Sequence, residues 1–160
     1  MADKNKEHII HLVVVTPDRV FFEGDVYSAT IPATDGAMGV MAGHEPQVVS
    51  ITPGIVTIRD DEGIRHFFAA EGYSEISQSL IMIICNSAEW PDEILVGRIF
   101  DSYKIACDTL EEQSRDTSYK YPKDAFYMKQ RAIARMQLIS KYGSDAKKHR
   151  LAELFGKDEE

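Results

Sequence analysis

The chain reads as a β + α protein: an N-terminal flattened β-sandwich or barrel over residues 7 to 89, then a C-terminal two-helix hairpin over residues 92 to 143. Three observations carry this reading. Up to residue 88, short apolar runs alternate with turn-forming clusters every several residues, a pattern that favours a sandwich or barrel over βαβ units. At Trp90-Pro91-Asp92 the period changes, and Leu95, Ile99, Tyr103, Ala106 and Leu110 recur at spacings of four, four, three and four, which lines one face of a helix. Beyond Pro122 a matching stripe of Ala125, Met128, Ala132, Met136 and Ile139 marks a second helix.

Taken in order, Ile9 to Val15 is apolar except for His11 and reads as a strand covered by the sandwich, stopped by Thr16-Pro17-Asp18. Val20 to Phe22 leads through a Glu23-Gly24-Asp25 turn into Val26 to Ile31, which alternates with a strand's period. Residues 36 to 54 read as a shaped loop around Val48 to Ile51. Ile55 to Arg59 and Ile64 to Ala70 form a hairpin closed by Asp60-Asp61-Glu62-Gly63, and Tyr73 to Ser77 pairs with Leu80 to Asn86. Helix one is predicted over about 92 to 113 with Asp92 as its N-cap, and helix two runs from an Asp124 cap to Gly143. Residues 144 to 160 form a C-terminal extension with a short third helix using Leu151, Leu154 and Phe155 before a charged tail.

Charge is distributed unevenly. Residues 1 to 88 carry 5 basic and 12 acidic side chains, residues 89 to 124 carry 5 and 9, and residues 125 to 150 carry 7 and 1. An acidic chain of net charge -8 argues against nucleic acid as the main partner, and its one basic block invites an acidic protein surface or a phosphate. No aromatic stacking platform accompanies that block. There is no run of about 18 apolar residues and no secretory or transit pattern at the N-terminus, so the expected setting is cytosolic. Cys85 and Cys107 provide no disulfide framework and read as small buried hydrophobes. The five histidines are scattered without metal-ligand spacing, and the chain lacks GxxxxGK[ST], GxGxxG and GxSxG. Nothing here points to catalysis, and no catalytic or metal-ligating residue is assigned.

The segment Gly36 to Gly54, GAMGVMAGHEPQVVSITPG, places glycines at 36, 39 and 43 and prolines at 46 and 53 in an otherwise mostly apolar stretch. It resembles the GELGILPGHAPLLT...KPG stretch of the epsilon subunit of F-type ATP synthases, a non-catalytic part of the rotary central stalk. IHLVVVTPDRVFF (10 to 22) resembles that family's opening strand and turn, and FFAAEGYSEISQSLIMIICNSA (67 to 88) its later strands, with Glu71-Gly72 where the family usually has Gly-Gly. The likeness covers residues 9 to 100 and a patch near Arg131 to Leu138. Residues 101 to 127 and 144 to 160 match poorly.

The resemblance implies a sandwich that docks on the gamma subunit and the ring of c subunits, coupling proton or sodium flow to ATP synthesis, and a hairpin that detaches to inhibit ATP hydrolysis. It places the ring contact in the loop bearing Asp35, Met38, His44 and Glu45, although the family's frequent Glu is Ala37 here. Some bacterial members bind regulatory ATP through an I(L)DxxRA motif. Ile94 and Arg98 match it, Leu95 and Ile99 replace its Asp and Ala, and Glu89, Arg131 and Arg135 match accompanying positions. Lys129, Arg131, Arg135 and Lys141 would meet acidic residues of the catalytic beta subunits in the alpha/beta head. The implied location is peripheral, on the cytoplasmic face of the inner (plasma) membrane, with no other cofactor. The competing reading is a free-standing binding module or nucleotide sensor that uses the basic second helix.

Overall fold

The first strand, β1 (Ile10–Val15), buries Ile10, Leu12 and Val14 and leaves the residues between them half-buried. Its neighbours are β2 (Val20–Val26), antiparallel, and β9 (Leu80–Cys85), the one parallel pairing among the described residues. Between them run β3 (Ser28–Ala33), β4 (Gly36–Val40), β5 (Gln47–Ile51), β6 (Gly54–Asp60), β7 (Gly63–Ala69) and β8 (Gly72–Ile76), and the short β10 (Ala88–Glu89) follows β9. The strands hydrogen-bond in the order β10-β7-β6-β3-β5-β8-β9-β1-β2, with β4 added on β3. This continuous sheet folds over one apolar core centred on Leu12, Ile31, Val56, Ile58, Phe67, Ile76, Ile81 and Ile83. The computed structural model describes residues 8–115 and 123–156, so Pro122 with the rest of 116–122 and the tail 157–160 lie outside the description.

Two strand expectations need correction. Glu23-Gly24-Asp25 is not a turn: all three lie in β2, opposite Val13, Leu12 and His11 of β1, and the chain breaks instead at Tyr27. β2 ends the strand order, so its outer face meets water and tolerates acids that a central strand would exclude. The loop predicted from Gly36 likewise begins as a strand, because β4 zips along β3 from Ala33↔Gly36 to Ala29↔Val40. Gly36 enters it at φ +123°, a conformation glycine adopts without strain, and a two-residue turn results.

The two ends of the sheet meet through aromatic rings rather than backbone bonds. Phe21 of β2 stacks on Trp90, just past β10, at 5.1 Å and leans on Phe67 of β7 at 5.0 Å, while Trp90 meets Phe67 edge-on at 5.4 Å. The Arg65 guanidinium lies 5.4 Å from the Trp90 ring and 5.5 Å from Phe22. It is held there by the Asp60 carboxylate and by Glu62 at 2.9 Å.

The chain divides into two compact units, Met1–Trp90 and Pro91–Glu160. In the second, α1 (Val96–Arg115) and α2 (Lys123–Tyr142) form the hairpin. Asp92 is not the cap of α1: residues 91–93 form a turn, the helix starts at Val96, and Leu95 is 57% exposed instead of lying on the stripe. Ile94, Val96, Ile99 and Ala106 are the buried residues of this segment. In α2 Ala125, Ala132, Ala134, Leu138 and Ile139 are buried, so Ala134 and Leu138 join the predicted stripe while its Met128 and Met136 are only half-buried. Gly143 ends α2 with its N–H on the Ile139 carbonyl, and a Cβ there would stand 2.6 Å from that oxygen. A third helix, α3 (Asp145–Phe155), is capped by Ser144, whose hydroxyl accepts from the Lys147 N–H.

Candidate functional site

The glycine-rich segment becomes two turns on either side of β4. Asp35 is exposed in the Thr34-Asp35 turn before it, and Thr34 ties that turn to β5 by donating from its N–H to the Ser50 carbonyl at 3.1 Å. Met38 faces Ile31 across the β3–β4 pair, is half-buried against the core, and receives the Gln47 amide at 3.5 Å on its sulfur. After β4 the His44 N–H bonds the Met41 carbonyl, Gly43 turns at φ +82°, and the Gly43 N–H reaches the Gln78 carbonyl at 2.8 Å. His44 donates from Nδ1 to the Glu45 carbonyl at 2.8 Å, so one ring nitrogen is committed to shaping its own loop. Glu45 and Pro46 are exposed.

This arrangement is a polar and apolar tip on the sandwich, hydrogen-bonded to the segments beside it. Sequence reasoning missed two of its members. Met41, just past the end of β4 away from Asp35, is 57% exposed, and Val48 at the start of β5 is 68% exposed. Their signal was present in the apolar residue type within a glycine- and proline-bounded segment that must lie at the surface.

The basic positions fall differently. Glu89 belongs to the sandwich unit, in β10 opposite Phe68, whereas Arg98, Arg131 and Arg135 belong to the helical unit. Arg98 is exposed in the first turn of α1. Arg131 and Arg135 are half-exposed and one turn apart, hence on one face of α2. Lys129 points to the other side, with its ammonium 5.9 Å from the Tyr103 ring, and Lys141 is exposed in the last turn of α2. The four predicted inhibitory cations therefore spread around α2.

Ionisable groups outside these positions do structural work. Burial pushes the Cys85 thiol up to about 11, and its S–H faces the Ser87 carbonyl at 3.4 Å, so this sulfur is a core group and not a nucleophile. His11, for which the sequence offers no role, bridges β1 and β2. Nδ1 bonds Asp25 at 2.8 Å and Nε2 approaches Glu23 at 3.4 Å. The hydrogen bond to Asp25 raises the His11 pKa above its ordinary 6.5. A raised folded-state value means the stabilisation is fully present below pH 6.5 and is lost as pH rises through the folded pKa. His11 is 40% exposed, so solvent screening limits the effect to about 0.5 kcal/mol or less. Urea midpoints measured on either side of that window are expected to favour the acid side for the native chain, and His11→Gln is expected to erase the difference.

No helix among the described residues is long and apolar enough to cross a membrane. The model of the ATP synthase delta/epsilon chain β-sandwich domain matches residues 9–91. The ATP synthase epsilon chain of Ruminococcus albus is 31% identical over 134 residues, covering 83% of this chain and 98% of that one. That of Caldicellulosiruptor saccharolyticus is 33% identical over 128 residues, covering 80% and 91%. In fold, the chain is similar to one in the cryo-EM structure of the Euglena gracilis mitochondrial ATP synthase, with a TM-score of 0.58 and 21% identity over 81% of this chain and 76% of the other.

Proposed function

The chain belongs to the ATP synthase epsilon family, as a non-catalytic subunit of the rotary central stalk, and from that premise we propose that its sandwich couples the c ring to the catalytic head. The sandwich sits on the gamma subunit with the two turns beside β4 against the ring. The observation that carries this is the tip itself. Asp35 and Glu45 offer charge to polar ring loops, Met41 and Val48 offer apolar contact, and the tip is braced by bonds from Thr34 and Gly43 to neighbouring segments. A transmission element has to be stiff, because torque applied to a mobile loop would be spent in bending it. The subunit thus lies peripherally, at the cytoplasmic face of the membrane, through its assembly.

Replacing Asp35, Met41, Glu45 and Val48 together by alanine is the test. Retention of the chain by gamma and ring is expected to fall at least tenfold, about 1.4 kcal/mol, while the urea midpoint of the chain itself stays in place. Unchanged retention would remove the tip from the interface.

In the same reading the basic α2 inhibits ATP hydrolysis by meeting acids of the beta subunits once the hairpin opens. The spread of Lys129, Arg131, Arg135 and Lys141 around α2 suits a helix gripped on several sides. Raising ionic strength is expected to weaken this inhibition, and a salt-insensitive effect would exclude these cations from it. Regulatory ATP has less support: Leu95, where the binding motif has its Asp, is exposed and apolar.

A further inference from the structure

Lys147 occupies the third position of α3, where a helix dipole disfavours a cation. Its ammonium does not turn into water. It donates to the carbonyls of Pro91 at 2.7 Å, Asp92 at 2.7 Å and Ile94 at 2.9 Å, one acceptor for each of its three donors. Those carbonyls belong to the turn that precedes α1, more than fifty residues earlier in the chain. At the other end of α3, Phe155 packs edge-on against Phe100 at 5.2 Å and Tyr103 at 5.7 Å, both on α1. Its flank faces Met136, Gln137 and Ser140 of α2 across a shallow groove.

No residue of α3 is buried, and an 11-residue helix is marginal by itself in water. Its order therefore depends on these attachments. Their position matters for the hairpin. Segment 116–122 joins α1 and α2 at one end, while at the other end their own apolar packing is reinforced by α3, which continues from α2 through Gly143-Ser144 and is bolted to the start of α1. We propose that α3 is a latch on the open end of the α1–α2 hairpin, with Lys147 seated in the Pro91, Asp92 and Ile94 carbonyls as its bolt, so that the hairpin opens only after α3 lets go. Its regulatory consequence rests on the hairpin being the inhibitory element; the latch itself does not.

Hydrogen exchange on the full chain, native and Lys147→Ala, tests this. Alanine is the better helix former, so any loss of protection cannot come from intrinsic propensity, and Lys148→Ala serves as the charge-matched control. Lys147→Ala is expected to speed exchange roughly tenfold or more at Arg98 and Ile99 of α1 and at Leu138 to Tyr142 of α2, as loss of charge-assisted bonds would. Phe155→Ala is expected to loosen the same amides. Acceleration confined to α3, or no acceleration, would overturn the latch. The same variants added to the alpha, beta and gamma head separate the two readings. If exchange in α1 and α2 rises and hydrolysis responds, both stand; if exchange rises and hydrolysis does not respond, the latch stands and the inhibitory reading fails.

Discussion

Trp90→Ala is expected to remove about 3 kcal/mol from the sandwich, the lower part of the range for deleting a large aromatic side chain, because the ring is only partly buried. The loss falls where the fold has least to replace it. β2 and β10 are the first and last strands in hydrogen-bonding order, and Phe21, Phe67 and Trp90 join the ends of the sheet through ring contacts of 5.0 to 5.4 Å. Without the indole, Phe21 and Phe67 lose a stacking partner and Arg65 loses one of the two rings beneath its guanidinium. Against a total stability of roughly 5–15 kcal/mol, a loss of that size moves the urea midpoint far down. Far-UV circular dichroism in urea reads it without depending on the deleted fluorophore. Tyr73→Ala, at a ring 47% exposed, is the comparison and is expected to cost much less. Equal losses from the two substitutions would show that Trp90 is an ordinary surface aromatic.

Gly72→Ala is expected to be as damaging for an unrelated reason. A Cβ built on Gly72 stands 2.0 Å from the Ile84 carbonyl oxygen and 2.7 Å from the Cys85 Cα, both backbone atoms of the adjacent strand. Neither can rotate away, so β8 and β9 have to separate at the Gly72–Cys85 end of their ladder, where Cys85 and, two pairs further on, Ile83 enter the core. Overpacking ordinarily costs about 1–3 kcal/mol, and with only backbone to yield the upper end is expected, a fall in melting temperature of roughly 10 °C or more. Gly39→Ala is the matched control, since a Cβ there meets nothing within 4 Å and its φ is not positive. A tolerated Gly72→Ala would mean that the sheet is looser at this crossing than the packing implies.

Much of this architecture was legible in the sequence because it rests on local periodicity. The alternation through Ile10, Leu12 and Val14, the acidic turn at Asp60 to Gly63, and the change to helical spacing after Trp90 are each set within a few residues. What was illegible depends on register. β4 has two glycines in five residues and becomes a strand because β3 lies alongside it. Glu23 and Asp25 look like turn residues until β1 brings His11 opposite. Helix one starts later than its Pro91-Asp92 signal suggests, and the carbonyls of Pro91, Asp92 and Ile94 before it are engaged by Lys147, a residue that no local pattern links to them. At the candidate site, residue type and glycine spacing marked the segment, but the exposure of Met41 and Val48 emerged only once strand pairing fixed which side chains turn inward.

The central claim, a stalk subunit whose sandwich binds and whose helices inhibit, is tested most directly by ATP hydrolysis. The matching alpha, beta and gamma head would be assayed with the whole chain and with a version ending at Trp90, the last residue of the sandwich unit, and co-purification would be measured in both arms. The expected result is that both versions bind and only the whole chain suppresses hydrolysis. Failure of the Trp90-terminated version to bind gamma while it remains folded, or equal hydrolysis in the two arms, would contradict it.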